Sequence, residues 1–97
     1  MTEEHEDETL VGKVISCHSV MGFGNIAVVA LEHMIKMGDT IRIEGKANFS
    51  QKVGRMEANH KVIAQSPETG NVGLILVAQA NAGDKVYRMD AATTDGS

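Results

Sequence analysis

A chain of 97 residues with one cysteine and no tryptophan holds a single domain with a modest core and excludes an intramolecular disulfide. No apolar run is long enough for a bilayer span, and with no secretory leader the expected compartment is the reducing cytoplasm, with no membrane association. The formal charge of −4 is unevenly spread: Glu3, Glu4, Glu6, Asp7 and Glu8 crowd the first eight residues, while positions 9–90 carry nine Lys/Arg against seven Asp/Glu, so the body is mildly basic.

Residues 1–8 read as a solvated, disordered acidic head, and residues 91–97 as a disordered tail of small polar residues. The folded domain is 9–90. Residues 10–18 form the first strand. Residues 19–24 are a loop pivoting on Gly22 and Gly24. The run 26–31 is almost continuously apolar, which suits a strand buried on both faces. Residues 32–37 stand between a loop and one turn of helix, because Leu31, Met34 and Ile35 have helical spacing before Gly38. Residues 40–44 alternate, with Ile41 and Ile43 facing inward. After a turn at 45–48, residues 49–57 make a strand in which Gly54 marks a bulge or tight bend. Residues 61–64 form a short strand, 66–70 a turn, 72–77 a second buried strand, and 84–89 the last strand.

One phrase occurs twice. Lys36-Met37-Gly38-Asp39 precedes Thr40-Ile41-Arg42-Ile43, and Asn81-Ala82-Gly83-Asp84 precedes Lys85-Val86-Tyr87-Arg88. Glycine accepts positive φ at no steric cost, and an Asp carboxylate accepts hydrogen bonds from nearby turn amides. Gly38, Asp39, Gly83 and Asp84 are therefore assigned to structural turns that deliver strands into a sheet. Short strands joined by such turns imply an all-β sandwich or barrel. At this length closure is favoured, because it removes exposed edges. The expected fold is a closed six- or seven-stranded barrel.

The order of five segments carries a family resemblance: Gly12-Lys13-Val14; Met37-Gly38-Asp39-Thr40-Ile41-Arg42-Ile43-Glu44-Gly45; Lys52-Val53-Gly54-Arg55-Met56; Gly70-Asn71-Val72-Gly73-Leu74; and Gly83-Asp84-Lys85-Val86-Tyr87. This resembles the β-barrel second domain of translational GTPases such as elongation factor Tu. It is more similar still to small stand-alone translation elongation factor-like proteins. The same module also occurs at the C-terminus of a collagenase-like peptidase family linked to RNA modification. The resemblance implies contact with tRNA or ribosomal RNA. It does not extend to a GTP-binding domain. In Gly45-Lys46-Ala47 alanine stands where a phosphate loop needs the Ser/Thr that holds Mg²⁺, so the segment reads as a hairpin turn and no nucleotide is expected.

The residues themselves argue against catalysis. Cys17 and His18 are adjacent and point to opposite faces of a strand. The remaining histidines lack metal-like spacing, so neither a metal nor another cofactor is expected. Cys17 reads as a buried thiol. No nucleophile, base and orienting group fall together, and the expectation is a protein that is not an enzyme. The remaining feature is electrostatic. Arg42, Lys46, Lys52, Arg55, His60 and Lys61 fall in a 20-residue stretch opposed by Glu44 and Glu57, and a shared outer face would meet phosphates, with Arg42, Lys52, Arg55 and Lys61 as the four that hold them. Solvation of outward strand positions explains the same charges. Two functions follow: an RNA- or ribosome-associated module holding phosphates through these four residues, or an adaptor subunit for an RNA-modifying or peptidase-like enzyme. An exposed apolar patch around Met21-Gly22-Phe23 would favour the adaptor.

Overall fold

Alternating β-branched residues between glycine turns build strands throughout. The computed structural model describes residues 7–22 and 24–90. Its strands are β1 (Asp7–Val20), β2 (Gly24–Leu31), β3 (Thr40–Glu44), β4 (Asn48–Lys52), β5 (Met56–Ala58), β6 (Lys61–Ile63), β7 (Gly70–Leu76) and β8 (Lys85–Asp90). They form one antiparallel sheet in the order β4-β3-β8-β1-β2-β7-β5-β6. The chain is thus all-β. Residues 32–37 hold no helical turn; Lys36 there makes a single bridge to Gln65. β1 begins at Asp7, two residues inside the acidic head. The rest of the head and the whole tail lie outside the described residues.

β1 is long enough to pair twice, its first half with β8 and its second half with β2. Two register shifts allow this, at Leu10/Gly12 against β8 and at Val14/Ser16 against β2. Such bulges re-aim side chains: Val11 and Val14 stay buried, while Ile15 is turned out to 46% exposure. Gly12 is needed where the strands approach, since a Cβ there would be driven into the Ala30 carbonyl oxygen. The core is built by the inward parity of the strands, with Ala27, Val29, Ile41, Ile43, Leu74 and Val86 almost fully buried. On β2 the alternate residues Ile26, Val28 and Ala30 are only half-buried. The reading of 26–31 as buried on both faces is corrected: one face is core and the other is partly open.

The two Gly-Asp phrases fold into matching turns. Asp39 N–H donates to Lys36 O at 3.0 Å, and Lys36 N–H donates back to Asp39 Oδ2 at 2.9 Å. Asp84 and Asn81 repeat the pair at 3.0 and 2.9 Å. Gly38 and Gly83 sit at φ of 93° and 92°, the third position of a type II turn. Asp84 does more than Asp39. Its carboxylate, 3% exposed, also accepts from Lys46 N–H at 3.0 Å and Ala47 N–H at 3.3 Å. It therefore clamps the β3–β4 turn to the turn before β8. The Gly45-Lys46-Ala47 segment is that hairpin turn, and a Cβ on Gly45 would collide with the Asp84 carboxylate. Burial pushes the Asp84 carboxyl up, but the backbone N–H donors of Asn81, Lys46 and Ala47 outweigh it and hold it below its ordinary value.

The closed barrel is corrected to an open eight-stranded sheet. The strand expected over 49–57 is broken at 53–55 into β4 and β5, so β4 and β6 remain as edges with no ladder between them. The seam is held by local bonds instead. Gln51 on β4 donates through Nε2 to Ile75 O at 3.0 Å and accepts at Oε1 from Val77 N–H at 2.7 Å. Its primary amide thus takes the place of a backbone peptide group. On the β6 side, Met37 N–H donates to Ala64 O and Ser66 N–H to Ile35 O, both at 2.8 Å. The buried Ser66 hydroxyl accepts from Ile35 N–H at 2.9 Å.

Asp84→Asn should cost about 2 kcal/mol, the scale of losing charge-assisted bonds to buried amides, and lower Tm by roughly 10 °C. Because the folded carboxyl is depressed, its contribution is complete above the unfolded value of about 3.9 and is lost as pH falls through the folded value. The Tm gap between wild type and variant should therefore narrow on acidification below about pH 4; a gap constant with pH would show that the charge is not what matters. Gln51→Leu should cost about 1 kcal/mol and speed amide exchange at Val77 while leaving β1, β2 and β8 protected. Unchanged exchange at Val77 would show that the seam does not depend on Gln51.

Candidate interaction surface

Paired residues in an antiparallel ladder share a face. The register Thr40↔Lys52 and Arg42↔Ser50 places Arg42 and Lys52 on the outer face of the β3–β4 hairpin. Arg42 is committed within the chain. Its Nε and Nη2 donate to Glu8 at 2.7 and 2.8 Å, Glu44 lies at 3.4 Å, and the guanidinium stacks 4.7 Å from the Tyr87 ring centre. The hydrogen bond to Glu8 holds Arg42 further above its ordinary pKa and holds Glu8 below its own. This fork ties the start of β1 to β3 across β8. Arg55 lies in the break between β4 and β5 and pairs with Glu57 at 3.1 Å. Lys52 ends one edge strand and Lys61 opens the other. Two of the four cations are thus ion-paired, and the four are spread over both edges of the sheet and the break between them.

The other exposed feature is apolar. Inward pairs are Val14↔Val29, Cys17↔Ala27 and Ala27↔Leu74. Outward pairs are Ser16↔Val28, His18↔Ile26 and Ile26↔Ile75. The outer face of β1–β2–β7 therefore carries Ile26, Val28 and Ile75. Ile15 on its bulge, Val20 near the hairpin tip and Val77 (73% exposed) add to it, and Met21 at the tip is 97% exposed. Arg55 and Glu57 rim a dimple of about 30 Å³ over Ile26 and Ile75. Phe23, expected in such a patch, lies outside the described residues. Ile15 and Val77 escape a reading by periodicity, because alternation does not say which bulge exposes a residue. The signal was present in another form: β2 is apolar at both parities, and among the described residues no helix covers its second face.

Among the described residues no group of three or more His, Cys, Asp or Glu is placed to hold a metal ion. Cys17 is half-buried, and its Sγ accepts from Ala80 N–H at 3.4 Å. No helix of the described residues is long and apolar enough to cross a membrane.

No protein-family model matches the chain. It is 32% identical over 79 residues to an uncharacterized protease of Methanocaldococcus jannaschii, a stretch that is 79% of this chain and 19% of the protease. The chain thus spans about a fifth of the length of the curated relative it matches. Its fold is similar to crystal structures of the C-terminal domain of a Geobacillus thermoleovorans protein described as a U32 peptidase. For one structure the TM-score is 0.72 at 15% identity, covering 84% of this chain and 92% of that domain. For the selenomethionine variant it is 0.71 at 16%, covering 80% and 96%. The resemblance to translation elongation factors is therefore corrected: the similarity lies with peptidase proteins and the C-terminal domain of a U32 peptidase. The function of contacting tRNA or ribosomal RNA, drawn from that resemblance, falls with it. Turn-and-strand phrases specify how a β domain is wound, and one winding serves unrelated functions.

Proposed function

We propose that this chain is a non-enzymatic accessory domain that docks through the outer face of β1–β2–β7 onto a catalytic protein of the U32 peptidase kind. The observation that carries the reading is the outer face of β1–β2–β7, where Ile26, Val28 and Ile75 stand half-buried beside the exposed Ile15, Val20 and Val77. Contiguous exposed apolar surface marks a contact site. The similarity supports the choice of partner: the stretch shared with the protease is 19% of that protein, and the solved structures alike in fold are C-terminal domains of a larger chain. A domain of this shape therefore works beside a much larger body. On this reading the domain binds a partner and does no chemistry of its own; its one thiol, Cys17, is half-buried and accepts from Ala80 N–H. The cytoplasm is the compartment this reading implies.

The test mixes the full chain with a U32 peptidase truncated before its own C-terminal domain and follows co-elution and affinity. Wild type should bind. Ile15→Asp with Val77→Asp should weaken binding by roughly 30-fold or more, the scale of losing about 2 kcal/mol at an interface centre, with the β-sheet circular dichroism retained. Absence of a complex, or equal affinity for the double variant, would overturn the proposal.

A further inference from the structure

The Lys36–Asp39 turn packs beside the end of β8, and the two enclose a cleft of about 430 Å³. It lies apart from the apolar face. Lys36, Asp39, Thr40 and Arg88 bring polar groups to its wall, and Met34 and Met89 line it with apolar surface. Arg88 is held in place from two sides. Its Nε donates to Asp90 Oδ1 at 2.8 Å and its Nη1 to Met34 O at 2.6 Å. Asp90 is fixed in turn by the Thr9 hydroxyl, which donates to its Oδ2 at 2.7 Å. A guanidinium has five N–H donors in a rigid fork. Two are used here, and Nη2 meets no acceptor among the described residues. The Lys36 amine and the Thr40 hydroxyl are likewise without a partner among the described residues. Each acid of the cleft already accepts, Asp39 from Lys36 N–H and Asp90 from Arg88 and Thr9, while the Nη edge of Arg88, the Lys36 amine and the Thr40 hydroxyl are its unused donors.

We infer that this cleft binds a carboxylate group, with the Nη edge of Arg88 as its principal partner and Lys36 and Thr40 completing the donor set. Two features select a carboxylate among anions. The planar fork of Arg88, already oriented by Asp90 and Met34 O, matches two coplanar oxygens. Asp39 and Asp90 balance the charges of Lys36 and Arg88, so a second negative charge on the ligand would add desolvation cost with no unmatched cation to offset it, and a monoanion fits better than a dianion. Met34 and Met89 are deformable apolar walls that accept varied aliphatic groups next to the carboxylate. The chemistry is that of a peptide C-terminus or of a small free carboxylic acid. The inference stands on the cleft alone and does not depend on the docking face.

The test titrates the full ¹⁵N-labelled chain with acetyl-alanyl-leucine as the free acid, the same peptide as its amide, sodium acetate, and inorganic phosphate. The free acid should produce saturable shifts at the amides of Lys36 to Thr40 and Arg88 to Asp90, and the amide should not. Arg88→Met should weaken binding about tenfold, the scale of one charge-assisted contact. Arg88 also ties Met34 to Asp90, so Lys36→Met, which removes an exposed amine with no described partner, serves as the second variant and should weaken binding severalfold. Acetate binding as tightly as the peptide acid would support the site and make a small free acid its source; weaker acetate binding would make the source a peptide C-terminus. No saturable shift with either acid, equal binding of acid and amide, tighter binding of phosphate, or insensitivity to Lys36→Met would overturn the inference.

Discussion

The buried carboxylate of Asp84 is the constraint on which the rest of the sheet depends. It gathers amides from two separate turns, at Asn81 and at Lys46 and Ala47. The backbone around it is tied to β1 as well, with Val14 N–H donating to Asp84 O and Gly83 N–H donating to Val14 O, both at 2.8 Å. Three chain segments far apart in sequence therefore meet at one residue. A buried charge is tolerable only when its lone pairs are met, and that requirement fixes where the β3–β4 hairpin sits relative to β8. The absent Cβ of Gly45 makes the approach possible. Asp39 repeats the turn and its backbone pair, with Val53 N–H donating to Asp39 O at 2.8 Å and Gly38 N–H donating to Val53 O at 2.9 Å, but its carboxylate gathers no amide from a second turn among the described residues.

A sheet gathered at that point still has to deal with its edges. The regular ladder is interrupted at 53–55, although Val53 still exchanges backbone bonds with Gly38 and Asp39, and unpaired edges invite association. The Gln51 amide, with Ser66 and the Met37–Ala64 bond, covers part of the opening with discrete hydrogen bonds. The result is a curled sheet whose inner face is a filled core and whose outer face on β1–β2–β7 carries exposed apolar residues among polar ones. Cleft and apolar face then lie on different parts of the sheet, so one domain has room for a protein contact and a small anionic group.

Charge, which is prominent in the sequence, is quiet in the structure. Arg42 is stacked on Tyr87 and forked onto Glu8, and Arg55 is paired with Glu57. Exposed pairs of this kind contribute little to stability, but they lower the positive potential a phosphate backbone would meet. The cations that line the larger cleft, Lys36 and Arg88, lie outside that basic stretch.

Local chemistry determined the all-β character, the positions of the turns and the inward parity of Ile41 and Ile43, because glycine conformational freedom and two-residue alternation act over a few residues. The resemblance in strand order was legible too, but it pointed to a winding shared by several protein families and so misplaced the function. Tertiary structure alone decided that Asp84 reaches Lys46 and Ala47, that the ladder stays open, that Ile15 is expelled by a bulge, and that Arg88 stands beside Lys36 over a cleft. Each of these depends on partners 24 or more residues away or on a register shift, and one extra residue in a strand reverses which face a side chain meets. No pattern read within a single segment contains that information.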